Sequence, residues 1–303
     1  MKSLITLALA LVTTHIFACN NPHFGLALNQ RSFYNPASLC PYCVGSTFMS
    51  SGLSFIPGSK DNSGFNYAFG NDAANLVHGP WDLAYSQMRS PGVTTKASSM
   101  RYAYAFLIGN WKAAIGMRGS HYSIRGNGDA HFLTKFFDAD AGIMATNQKG
   151  MYFGMSMLHL GGPARTVRNE SGITYSIALP QTFNAMAGYV QKINPKWDVM
   201  PDVSFLTNKT ESVFIPGAMM RYKHHYAFGG GMTFATNEKA AYQIRAGYMS
   251  SKFKFLASAC PSGEGWIIET GITWRFWFTQ DCDGGTCSVK KPWKKIDDFL
   301  RHR

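Results

Sequence analysis

The run Gly265 to Phe278, GWIIETGITWRFWF, constrains the fold more than any other stretch, because its apolar residues alternate instead of forming a helical stripe. In a strand successive side chains point to opposite faces. Ile268, Thr270, Ile272, Trp274, Phe276 and Phe278 therefore share one face, and Glu269, Gly271, Thr273 and Arg275 share the other. The apolar face needs either a second sheet, as in a soluble sandwich, or lipid, as in an outer-membrane barrel whose bore takes the polar face. Two features favour the barrel: the aromatic cluster sits at the strand end, where membrane girdles lie, and the pattern recurs along the chain.

Turn-rich pieces such as Pro57 to Gly64 and Arg125 to His131 separate the recurrences. Strands are expected over Ser46–Phe55, Gly64–Phe69, Trp81–Met88, Ser98–Ile108, Asn110–Ile124, Phe136–Thr146, Met151–Leu160 and Phe183–Ile193. Six more are expected over Trp197–Leu206, Ser212–Lys223, Tyr226–Ala235, Ala241–Met249, Lys252–Ala259 and Trp266–Phe278. The fold class this predicts is all-β: a transmembrane, antiparallel, up-and-down barrel of about 14 strands, an even number as single-chain bacterial barrels require. Met100, Tyr102, Tyr104, Phe106 and Ile108 should face out against Arg101, Ala103 and Ala105, and Tyr242, Ile244 and Tyr248 against Gln243, Arg245 and Gly247.

On that parity the inward face collects Arg101, Lys112, Arg118, Arg221, Lys223, Arg245 and Arg275 against Asp138, Asp140 and Glu269. A net positive interior is the expectation, with the bore filled by its own ion pairs and a plug ranked above a selective anion channel.

Composition agrees with a lipid-facing sheet: 15% of residues are charged, 14% are aromatic, and the mean hydropathy of -0.13 fits strands that are half polar. The opening MKSLITLALALVTTHIFA has a Lys, a short apolar core and a small final residue, as a secretory signal does, which assigns residues 1–18 to a signal peptide. Acylation of Cys19 competes with ordinary cleavage after Ala18, and the bulk of Phe17 favours cleavage. Residues 19–45 read as an irregular segment that plugs or braces the barrel at 46–278. Residues 279–303 read as a periplasmic tail in which Pro292 opens a short helix. Cys40 and Cys43 form a CPYC, and Cys282 and Cys287 flank a short loop, so local disulfides suit an oxidising compartment. The formal charge of +12 becomes +11 without Lys2. These cations are spread along strands and tail instead of gathering in a basic helix, which argues against nucleic acid and for lipid headgroups or an acidic protein.

Two stretches resemble the PorP/SprF family of outer-membrane proteins of type IX secretion and gliding motility in the Bacteroidota. NNPHFGLALNQRSFYNPAS is similar to the family's opening, a PxF element followed by an N-P-A motif, carried by Pro22, Phe24, Asn35, Pro36 and Ala37. Phe137 to Leu160 resembles its paired strands, with a turn of small residues at Gly154 and Ser156. The resemblance implies a barrel without enzymatic activity or cofactor in a Gram-negative outer membrane. It also implies work with periplasmic lipoproteins and other secretion components, and handling of secreted proteins with C-terminal sorting domains. The tail and the four cysteines at 40, 43, 282 and 287 depart from the pattern. Independently, Trp274, Phe276 and Phe278 have the form of the aromatic signal that barrel-assembly machinery reads by β-augmentation.

The leading expectation is thus a secretion or motility component, and the alternative is a porin-like diffusion or uptake channel. A third reading is a phospholipase: His121 and Ser123 share a strand face as nucleophile and base would, but no third group is identifiable by spacing. His224 and His225 point to opposite faces and are poor metal co-ligands, and Asp281 to Thr286 lacks the closing Glu of a calcium loop.

Overall fold

The computed structural model describes residues 35–39, 46–57, 63–71, 81–90, 92–126, 132–147, 150–168, 174–223, 225–236, 240–250, 253–262 and 265–278. The strands in chain order are β1 (Ser46–Phe55), β2 (Ser63–Asn71), β3 (Trp81–Ser90), β4 (Val93–Ile108), β5 (Trp111–Gly126) and β6 (Phe132–Asn147). There follow β7 (Tyr152–Leu158), β8 (Ala164–Arg168), β9 (Thr174–Ala178), β10 (Thr182–Gly188), β11 (Gln191–Asn194) and β12 (Trp197–Thr207). The last are β13 (Ser212–Tyr222), β14 (Tyr226–Ala235), β15 (Ala241–Met249), β16 (Phe253–Ser262) and β17 (Gly265–Phe278). A 3-10 turn at Pro36–Leu39 precedes them.

Every sheet neighbour is antiparallel, β1 pairs with both β2 and β17, and β10 pairs with both β7 and β12. These pairings close a 14-strand barrel with no free edge, β11 being a short annex on β12. The small hairpin β8–β9 stands apart as a second sheet.

Alternation places the side chains as the sequence requires. Met117 is 62% exposed, Ile108 61% and Trp274 60%, while Arg101, Asp140 and Asn184 on the other face are buried. Such a continuous apolar exterior far exceeds what a water-facing monomer tolerates, and a hydrocarbon surround removes the penalty. The first and last barrel strands meet at one rim, where Ser46 lies opposite Phe278. The longest connection, residues 159–181 with its hairpin, lies at the other rim, which is therefore the outer one, since extracellular loops are the longer ones in this architecture.

Most strand ends shift by one to three residues from expectation, and three regions depart further. β4 and β6 begin at Val93 and Phe132, earlier than Ser98 and Phe136. The added strand residues include polar outward ones such as Lys96 and Lys135, which blur the apolar alternation. The span Phe183–Ile193 divides into β10 and β11. The hairpin β8–β9 was not anticipated, because five-residue strands give too short a period to read. Gly154 and Ser156 are not a turn: both lie inside β7 and face inward. The run Gly229 to Gly231 is a close approach, as its setting in a strand suggests. A Cβ on Gly229 would stand 2.1 Å from the Ala218 carbonyl oxygen.

Candidate functional site: the occupied bore

The Asn35-Pro36-Ala37 sequence sits inside the barrel against β4, β5, β6 and β7. Pro36 opens the 3-10 turn with its fixed φ, and Asn35 Oδ1 accepts a hydrogen bond from the Ala37 amide at 2.9 Å, a local Asx arrangement. The other end of the same side chain ties the turn to the wall: Nδ2 donates to the Ile143 carbonyl of β6 at 2.8 Å and the Met155 carbonyl of β7 at 3.2 Å. Asn35 is fully buried, so both ends of its amide need these partners.

Three glycines on adjacent strands make the seat. A Cβ on Gly116 would lie 2.2 Å from the Ala37 nitrogen, on Gly142 2.3 Å from Asn35 Oδ1, and on Gly154 2.7 Å from Asn35 Nδ2. The chain approaches the wall more closely than any side chain there would permit. Ala37 then packs with Ala114, Met144 and Tyr152.

Charges fill much of the remaining wall. Asp82, Arg101, Arg118 and Asp140 lie directly opposite one another across β3, β4, β5 and β6, and the outer two carboxylates pair with the inner two guanidiniums. Opposite β12, Arg221 on β13 donates to Asp198 at 2.6 Å. Arg245 on β15 reaches over β14 and β13 to Asp202 on β12 at 3.1 Å, through space left by Gly217 and Gly231. Ser258 donates to Glu269 at 2.9 Å.

These pairs leave the described part of the interior without the net positive charge expected of it. Among the described residues Arg101, Lys112, Arg118, Arg221, Arg245 and Lys254 face inward against Asp82, Asp138, Asp140, Asp198, Asp202 and Glu269, six bases against six acids. Lys223 does not belong to the cluster: it is an exposed turn residue with a φ of 48°, its ammonium 5.4 Å from the Tyr222 ring centroid. Asp82, Asp198 and Asp202 were missed, although their parity with Ala84 and Met200 was readable.

Asp138, Asp140 and His159 place ligand-type atoms within 4.8 Å of one another. Asp140 is already engaged by Arg118 and by the His159 amide at 2.6 Å, and His159 Nδ1 pairs with Asp138. Both Asp140 oxygens, Asp138 Oδ2 and His159 Nδ1 are thus engaged within the wall, while Asp138 Oδ1 is buried without a hydrogen-bond partner among the described residues.

The outer mouth is apolar. Ile124, Phe132, Phe136 and Ile177 form a buried cluster flanked by Val93, Tyr122, Val167 and Leu179, so the hairpin β8–β9 packs against inward residues of β5 and β6. Its base is fixed by Leu179 N–H to the Pro163 carbonyl at 3.0 Å and Gln181 Nε2 to the Leu160 carbonyl at 2.6 Å.

His121 and Ser123 do share a face, the outward one. The cross-strand neighbours of His121 are Ser98 and Phe137, with Phe137 in ring contact at 5.0 Å, so no carboxylate or amide orients the imidazole there. His225 is engaged by the Met249 carbonyl at 3.1 Å. Pro22, Phe24, Cys19, Cys40, Cys43, Cys282, Cys287, His224 and Asp281 to Thr286 lie outside the described residues, as do the side chains of Arg275, Phe276 and Phe278. Cys260 is buried in β16.

No protein-family model and no curated protein matches the chain. Solved structures do. The monoaromatic hydrocarbon channel CymD superposes with a TM-score of 0.51 at 9% identity, over 83% of this chain and 93% of its own. The toluene transporter TbuX of Ralstonia pickettii gives 0.50 at 12% identity, over 84% and 94%. The toluene transporter TodX of Pseudomonas putida gives 0.50 at 8% identity, over 82% and 93%. The likeness carries the fold. This chain is a barrel of the outer-membrane kind, similar in architecture to channels.

Proposed function

We propose that this protein is an outer-membrane channel, closed in the described state by its Asn35-Pro36-Ala37 turn, for small apolar or amphipathic solutes. The seating of that turn on Gly116, Gly142 and Gly154 carries the reading: a wall shaped for a guest chain makes a bore that opens by moving the guest. Support for the solute class comes from the apolar cluster at the mouth, and from the hydrocarbon channels and toluene transporters that share the architecture. Apolar side chains at an entrance favour a solute that leaves water readily, and the paired charges inside offer no net field to select an ion.

The test is electrical and chemical. In planar bilayers the wild-type chain should conduct little, Asn35→Ala should raise the conductance severalfold, and cells making the protein should take up labelled toluene faster than cells without it. Unchanged conductance in Asn35→Ala together with no gain in toluene uptake would sink the proposal.

A second reading, membership of the type IX secretion and gliding machinery with periplasmic lipoproteins as partners, is favoured by Asn35, Pro36 and Ala37, the residues that carry the family resemblance. It predicts that the protein, isolated from native outer membranes, brings a lipoprotein with it in constant proportion.

A further inference from the structure

The outward faces of β3, β4, β5 and β6 change character in step toward the outer rim. Leu83, Met100, Gly119 and Ala139 form an apolar row across the four strands, followed by Tyr85, Ser98, His121 and Phe137. Beyond these come Gln87, Lys96, Ser123 and Lys135, then Arg89, Thr94, Arg125 and Leu133. Arg89, Lys96, Arg125 and Lys135 are all exposed, and no acidic residue shares these rows. None of the four makes an ion pair among the described residues.

The cations are staggered. Lys96 and Lys135 both lie opposite Ser123, and Arg89 and Arg125 both lie opposite Thr94. Successive charges are thus diagonal neighbours, about 7–8 Å apart, and no two face each other directly, which avoids the worst like-charge contact. The zigzag spans three strand spacings, about 14 Å around the barrel. Leu133 is 58% exposed and Phe137 82%, so apolar surface adjoins the charges.

We propose that this zigzag is a binding site for the phosphorylated headgroup of a glycolipid in the outer leaflet. The order apolar, aromatic, cationic is the order a membrane presents, hydrocarbon, interface, anionic headgroup. Arg and Lys at two heights can engage phosphates by charge-assisted hydrogen bonds while Phe137, in the row beneath them, meets the upper acyl carbons. A soluble acidic protein would have no use for a site continuous with the lipid-facing band.

Full-length protein in neutral detergent is titrated with diphosphoryl lipid A and, separately, with dephosphorylated lipid A. Wild type should bind the phosphorylated form at least tenfold more tightly, with an affinity that falls as salt rises. The quadruple variant Arg89→Gln/Lys96→Gln/Arg125→Gln/Lys135→Gln should lose that preference, while Lys192→Gln/Lys196→Gln, at the other rim, should keep it. Equal binding of the two lipids by wild type overturns the site, whatever the variants do. So does a quadruple variant that still shows the heat-dependent gel shift of a folded barrel and binds like wild type. If that variant does not fold, Lys96→Gln/Lys135→Gln takes its place with an intermediate loss expected, and undiminished binding overturns the site equally.

Discussion

The two walls of the bore use glycine for different tenants. On β5, β6 and β7 the missing Cβ atoms of Gly116, Gly142 and Gly154 admit a separate piece of chain, which is held by one asparagine. On β13 and β14 the missing Cβ atoms of Gly217 and Gly231 leave room for the Arg245 guanidinium on its way to Asp202, and Gly231 also lets the Pro216 carbonyl come close. The first wall carries a removable guest, and the second spans the gap with its own side chain. At these five positions an inward glycine marks something crossing its strand, a piece of backbone on one wall and a side chain on the other.

The largest effect expected from testing this contrast concerns the charges beside the guest. Asp140→Leu strands the buried Arg118 and should destabilise the barrel by about 3–5 kcal/mol, whereas Asp202→Leu leaves Arg245 its hydrogen bond to Gln243 Oε1 and should cost clearly less. Arg118→Met/Asp140→Leu should recover most of the loss, as replacement of a whole buried pair commonly does. Guanidinium titrations in detergent, read by the heat-dependent gel shift, would check both, and equal costs for the two aspartates would erase the distinction between the walls.

Next in size is Gly142→Val. Its Cβ would meet Asn35 Oδ1, so the turn must leave its seat, with a loss of about 1–3 kcal/mol from unmade hydrogen bonds and a conductance like that of Asn35→Ala. Combining the two should add little, because both remove the same contact. Additive effects would mean that the glycine has another task.

The smallest is Gly217→Ala. A methyl there would stand 3.2 Å from the Arg245 guanidinium, whose long side chain can yield, so about 1 kcal/mol and no change in conductance are expected. A conductance as high as that of Asn35→Ala would place the gate on this wall as well.

The outside of the barrel was legible in the sequence and much of the inside was not, for one physical reason. Outward residues answer to lipid, a uniform solvent, so parity alone sorts Met100, Tyr102 and Ile115 correctly. Inward residues answer to one another across strands. Asp82 meets Arg101 and Asp198 meets Arg221 only through a register that period-two alternation does not supply. A count of inward bases without Asp82, Asp198 and Asp202 therefore tilted the expected bore toward positive charge. The Asn35 seat was half visible: the N-P-A residues stood out, and Gly154 and Ser156 stood out too, but as a turn. That the glycines on three separate strands converge on Asn35 is a property of the closed cylinder.

The pairing of β1 with β17 has a consequence for how the molecule is made. The two are neighbours at the seam, yet more than two hundred residues of chain lie between them, so the seam is the last pairing the ribosome's product can form. Until the final strand arrives, β1 carries a bare edge that would stick to any other strand offered. Biogenesis thus depends on a custodian for that edge during export, and a chain cut short before Gly265 would reach its membrane as an open, aggregating sheet.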